Sequence, residues 1–220
     1  MRTALLTANL GNFEEAVDPV MQYAPCEFYR FTDENFPPRR CAMTPRLQAR
    51  IPKLFGWQML PGYEVYIWVD SSMAVTSSDC VRWWLTKLEG HEAAFFRHPD
   101  RRSIREEAEF IRSKIAAGST YLSTRYAGEL IDEELAEIEA DPNYRDDLLI
   151  ASTAFAYRPT PAVQAMMREW WYHVSRYHIV DQLGLPYAIH RAGVQARIIE
   201  QHYMQTGYMT FARKSGRHRG

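Results

Sequence analysis

The run Val65-Tyr66-Ile67-Trp68-Val69 ends abruptly in Asp70-Ser71-Ser72, one acid and two hydroxyls. An apolar, β-forming run of this length reads as a buried strand of an α/β sheet. Ligands of open α/β sheets bind beyond the carboxyl ends of the strands. Asp70 thus stands where a metal or a sugar nucleotide would be held, with Ser71 and Ser72 beside it. The plainer alternative is that Asp70 caps the following helix.

Other residues could serve the same ligand. Thr7-Ala8-Asn9 and Thr32-Asp33 close two further apolar runs. Their hydroxyls, amide and carboxylate suit a base edge and ribose, although these residue types also favour turns. Arg46, Arg50 and Lys53 fall at i, i+4 and i+7, which places three cations on one helix face. Such a face beside strand ends suits a diphosphate; the alternative is a solvated stripe. His98-Pro99-Asp100-Arg101 follows a short strand. His98 and Arg101 either face a bound ligand or serve the structure, and Glu107 is a natural partner for a loop arginine. Asp181-Gln182 opens a helix, where an N-cap is the plain reading. His173, His178, His190 and His218 have no supporting context.

The elements that must position these groups alternate along the chain. Strands are predicted at Arg2–Ala8, Glu27–Phe31, Val65–Val69, Glu92–Phe96 and Leu148–Phe155. Phe13–Tyr23 reads as a short helix, and Pro37-Pro38-Arg39-Arg40 as a loop. Thr44-Pro45 supplies an N-cap and first-turn proline, with Pro52 set to kink or restart that helix. Further helices open at Ser78-Asp79, at the capping box Ser103–Glu106, at Thr160-Pro161 and at Asp181. The stretch from Thr120 to Ala140 is helical in pieces. The stripe Val163, Met166, Met167, Trp170, Trp171, Val174 and Tyr177 reads as core packing. This alternation predicts a three-layer α/β domain over residues 1–212 with a mostly parallel central sheet. Arg213–Gly220 is expected to be a mobile basic tail.

The 220 residues suffice for one well-buried domain. A formal net charge of -1 argues against bulk nucleic-acid binding. Arginine outnumbers lysine 22 to 4, which fits either phosphate contacts or genomic base composition. Cys26, Cys41 and Cys80 form neither a metal motif nor a disulfide framework, so a reducing compartment is expected. The apolar run Thr3–Ala8 is too short for a signal peptide or a membrane span. A soluble, cytoplasmic protein is expected.

Three blocks, Ala49-Arg50-Ile51-Pro52-Lys53, Ile67-Trp68-Val69-Asp70-Ser71 and His98-Pro99-Asp100-Arg101 with Glu107-Ala108, occur in order. Trp170-Trp171 with Asp181-Gln182-Leu183 follows. Together they resemble the glycosyltransferase-like family of plant pollen and mucilage hexosyltransferases, which has bacterial and phage relatives. The likeness spans residues 3–200. It implies a GT-A (Rossmann-like) fold, a nucleotide-sugar donor such as a UDP-hexose or UDP-pentose, and a divalent Mn²⁺ or Mg²⁺ ion on the leaving diphosphate.

Within that resemblance, Asp70 is the expected metal ligand, although Asp70-Ser71-Ser72 lacks the second acid of Asp-x-Asp. Ser72 would add a hydroxyl or a water. Asp181 would act as base on the acceptor or hold donor hydroxyls beside Gln182. His202 is a second metal candidate. The acceptor would be a glycan, a lipid-linked sugar, a protein or a hydroxylated base in phage DNA, with the basic tail then adding phosphate contacts. The competing classes are a non-catalytic nucleotide-sugar or glycan-binding protein and, more weakly, a phosphohydrolase.

Overall fold

The computed structural model describes residues 1–37, 39 and 42–212. The expected tail 213–220, part of the loop at 37–40, and Cys41 lie outside the described residues. Six strands form the main sheet: β1 (Thr3–Asn9), β2 (Glu27–Thr32), β3 (Val65–Val69), β5 (Ala93–Arg97), β6 (Ile150–Tyr157) and β7 (Ala196–Ile199). Their order is β2-β1-β3-β6-β5-β7. Only β6 runs against the others, pairing antiparallel with β3 and β5. Two short strands, β4 (Met73–Val75) and β8 (Met209–Phe211), make a second antiparallel sheet. The fold is thus α/β, with a central sheet that is mostly parallel.

Helices cover both faces, as a parallel sheet requires. On one side α1 (Pro45–Met59), α6 (Pro161–Arg176) and α7 (Asp181–Ala192) bury Leu6, Trp68, Phe155 and Trp170. On the other, α2 (Cys80–Lys87) and the β4–β8 region bury Leu5, Ile67, Trp84 and Phe96. A flanking cluster joins α3 (Ile104–Ala116) and α5 (Ile131–Glu139) to α7 through Ile111, Ile138 and Leu183. The short α4 (Thr120–Tyr126) lies between α3 and α5 in sequence.

The caps behave as their chemistry dictates. Thr44 Oγ1 accepts from Leu47 N at 3.2 Å, Ser103 Oγ from Glu106 N at 3.1 Å, and Thr160 Oγ1 from Val163 N at 3.3 Å. Pro52 lies inside α1, and the helix kinks at Phe55 (φ -118°, ψ 18°). The helix predicted at Phe13–Tyr23 does not form. Pro19 interrupts its centre, removing a donor and disfavouring the preceding turn. An irregular strap forms instead, with Val20 N donating to Val75 O and Tyr23 N to Ser78 O.

Beneath α7 lies a buried acid–imidazole group. Glu134 Oε1 is 2.9 Å from His173 Nδ1, and Glu134 Oε2 meets His178 Nε2. His178 Nδ1 accepts from Val180 N, so its proton sits on Nε2 and faces the acid. Burial pushes the Glu134 carboxyl up, but the two imidazoles outweigh it and hold the acid below the usual range. Gly184 makes this approach possible: a Cβ there would lie 2.7 Å from His173 Cβ and 2.9 Å from Glu134 Oε1. Gly184→Ala is expected to cost about 1–3 kcal/mol, the usual penalty for overpacking, as read from urea unfolding. A wild-type midpoint would show that α7 can shift freely.

Candidate active site

Side chains alternate along β3, so Trp68 and Asp70 share the face toward α1 and Lys53, while Val69 points to the other side. Asp70 N donates to Thr153 O of β6 at 2.8 Å, which fixes the carboxylate at the strand end. Trp68 Nε1 donates to Asp70 Oδ1 at 2.6 Å. Lys53 Nζ donates to the same oxygen at 3.2 Å. No partner occupies Asp70 Oδ2 among the described residues.

Lys53 is fully buried at 0% exposure. Its ammonium also donates to Asp181 Oδ2 at 2.6 Å and lies about 6 Å from the ring centres of Trp68, Phe155 and Trp170. Asp181 is held further by Ser152 Oγ at 2.8 Å and by Arg50 Nε at 3.1 Å. Its backbone carbonyl accepts from Trp170 Nε1. Burial pushes the Asp181 carboxyl up, yet the Arg50 and Lys53 cations, with hydrogen bonds from Lys53 and Ser152, win and hold it below the ordinary carboxylate range. A base with a depressed pKa and no open path is poorly placed to take a proton.

A cavity of about 380 Å³ opens above this ion cluster. Asp70, Ser71, Ser72 and Asn9 line its strand side, while Arg46 and Arg50 of α1 and Arg125 of α4 line the rest with several aromatic rings. A smaller cleft of about 20 Å³ adjoins it at Asn9 and Ser71 and holds Thr7 and Arg30. Thr7 and Asn9 share one face of β1, and Ser71 follows the end of the neighbouring β3.

The structure brings together Asp70, Ser71, Ser72, Asn9 and Arg50, with Thr7 next door. Other expectations are redirected. Lys53 shares the stripe of Arg46 and Arg50, but two helical turns carry it under the sheet end and into the core, so it is not a cavity wall. Asp181, 6% exposed, lies below the cavity and shares Lys53 with Asp70 rather than facing it across a sugar. Thr32 and Asp33 do turn chemistry: both Asp33 oxygens accept from Gly11 N, where φ is +77°, and Thr32 Oγ1 accepts from Glu34 N.

His98, Arg101 and Gln182 form a separate network. Arg101 Nε pairs with Glu107 Oε2, and Gln182 Nε2 donates to Glu107 Oε1. His98 Nδ1 accepts from Asp100 N and Arg101 N. Burial first, then the Arg101 cation, pull His98 down to about 4, so it is neutral at pH 7. His202 Nδ1 accepts from Met204 N and caps the 3₁₀ turn Tyr203–Gln205. No group of three or more His, Cys, Asp or Glu side chains that could hold a metal ion occurs among the described residues. No helix among them is long and apolar enough to cross a membrane.

Two contributors escaped the sequence. Arg125 sits in a polar stretch with no pattern to mark it. Ser152 stands beside Thr153 inside an otherwise apolar strand. Trp68 was legible, since period-two alternation puts it on the face of Asp70.

Comparison with known proteins finds no matching family model and no matching curated protein. Among solved structures, the chain is similar to the apo form of mouse xyloside xylosyltransferase 1, at 9% identity and a TM-score of 0.48 over 90% of this chain and 85% of that one. It is similar to A197 from STIV, at 12% identity and 0.41 over 91% and 82%. It is similar also to the apo structure of the bifunctional glycosyltransferase WbbM, at 12% identity and 0.45 over 80% and 29%. With identities this low and TM-scores below 0.5, the functional reading rests on the site itself.

Proposed function

We propose that the protein is a glycosyltransferase that moves a hexosyl or pentosyl group from a nucleotide donor, a UDP-sugar, to an acceptor hydroxyl. One observation carries this reading: at the carboxyl end of β3, Asp70 faces a cavity of about 380 Å³ whose other wall carries arginines. That volume falls within the range of small-molecule sites. The donor's diphosphate lies against the arginines, its sugar hydroxyls against the open oxygen of Asp70, and its nucleoside toward Asn9 and Thr7. In transfer, the bond from the anomeric carbon to the diphosphate breaks as the acceptor oxygen bonds to that carbon, and the acceptor's hydroxyl proton passes to the departing diphosphate or to water. Negative charge grows on the leaving group, where cationic donors stabilise it most. The resemblance of the sequence blocks to the hexosyltransferase-like family supports the same reading. The acceptor is a glycan, or a hydroxylated base in DNA.

A second reading, nucleotide-sugar binding without turnover, is favoured by Asp181 being locked in its ion cluster. One assay separates the two. A panel of UDP-hexoses and UDP-pentoses is incubated with the protein, and both donor binding and UDP release are measured. Release of UDP from at least one donor is expected. Binding without release would leave only the second reading, and absence of both would end each of them.

A further inference from the structure

We infer that Arg46, Arg50 and Arg125 form a diphosphate site in which guanidinium groups, rather than a bound divalent ion, supply the main counter-charge. This rests on the donor reading above and states how that donor is held.

Three cations share one cavity wall, drawn from two helices. Arg50 is anchored from behind, with Nε 3.1 Å from Asp181 Oδ2 and Nη2 donating to Ile179 O at 3.3 Å. Arg46 and Arg125 have no carboxylate partner among the described residues. Arg46 lies over the Phe13 ring at 5.1 Å, and Arg125 stacks on Tyr121 at 4.1 Å. The buried Nε of Arg125 has no hydrogen-bond acceptor among the described residues. Glu14 also lines the cavity and has partners of its own. Burial disfavours the charge on Arg46, and Arg125 and Arg50 repel it further. Like charges gathered in a half-dried cavity are costly until an anion joins them. A planar guanidinium offers paired donors that match phosphate oxygens, so a group with several such oxygens satisfies all three forks at once.

The opposite wall fits a tightly held divalent ion poorly. Of the carboxylates that line the cavity among the described residues, Asp70 already shares its charge with Lys53 at 3.2 Å and accepts from Trp68, and Glu14 has partners of its own. Ser72 stands where a second acid would reinforce it. A divalent ion there would meet the Lys53 ammonium behind the same carboxylate.

Isothermal calorimetry with UDP, inorganic pyrophosphate and uridine, each in EDTA and again in Mg²⁺, tests this. UDP is expected to bind in EDTA within about 3-fold of its affinity in Mg²⁺, and uridine far more weakly. Arg46→Gln and Arg125→Gln should each weaken UDP and pyrophosphate about 10-fold or more, as for lost hydrogen bonds to charged groups, with melting temperatures unchanged. Arg82→Gln, at an exposed pair with Asp79, is the control and should bind as wild type. Unchanged binding in both variants, or more than about 10-fold dependence on Mg²⁺, would overturn the inference. If UDP-sugar turnover persists in that case, this inference alone falls. If the arginines hold pyrophosphate but no donor is turned over, the anion site stands and the transferase reading falls.

Discussion

Lys53→Met is expected to lower stability by about 3 kcal/mol. Methionine matches the length of the lysine stem and suits the surrounding rings of Trp68, Phe155 and Trp170. The loss is therefore electrostatic. Asp181 loses its shortest contact and stays buried. Breaking one partner of a buried ion pair typically costs about 3–5 kcal/mol. Arg50 remains on Asp181, which places the expectation at the lower end. Urea unfolding at pH 7 measures it, and a loss under about 1 kcal/mol would show that the cluster is not held by Lys53. The acid limb gives a second check. Asp181 has its folded pKa depressed, so its contribution is present above about pH 4 and is lost as pH falls through the folded value. Without Lys53 that depression shrinks. The gap between variant and wild type should be widest at neutral pH and should narrow as the medium becomes acidic.

Asp70→Asn is expected to cut turnover by at least about 10²-fold, the scale for removing a preorganised charged contact at a reacting group. The amide oxygen can still accept from Trp68 Nε1 and Lys53 Nζ, and Lys53 keeps Asp181. The fold should therefore survive, with the melting temperature within a few degrees of wild type. Lost with the charge is the acceptor that Oδ2 presents to the cavity, together with its field on the sugar. Donor affinity should fall less than about 10-fold, because most binding lies with the phosphate wall. Initial rates under saturating donor give the number. Turnover within about 3-fold of wild type, at wild-type stability, would remove Asp70 from the chemistry.

Much of the scaffold was written locally in the chain. Thr44, Ser103 and Thr160 cap helices because each hydroxyl has an orphan amide within one turn. The strand ending at Asp70 was legible because its apolar run stops at a carboxylate. The strap at 13–23 was not, since its apolar spacing resembles a helix while its hydrogen bonds go to distant Val75 and Ser78. The short strands β4, β7 and β8 carry too few residues to show a period. In the site, a helical wheel placed Arg46, Arg50 and Lys53 on one side but could not say how far down that side the core begins. Lys53 crosses that boundary and Arg50 does not. Arg125 and Asp181 reach their places through packing between elements far apart in sequence, which no window along the chain contains.

The position of β6 bears on how the molecule is made. It is inserted between β3 and β5, both of which emerge earlier during synthesis. Until Ile150–Tyr157 leaves the ribosome, β3 and β5 have no strand joining them, and each presents an unpaired, apolar edge. Such edges invite association with other chains. The same late strand brings Thr153 to Asp70 and Ser152 to Asp181. Birth order therefore leaves the nascent chain with unfinished flanks, β5 bare on both sides until β7 follows, and the pocket is among the last parts of the molecule to come into being.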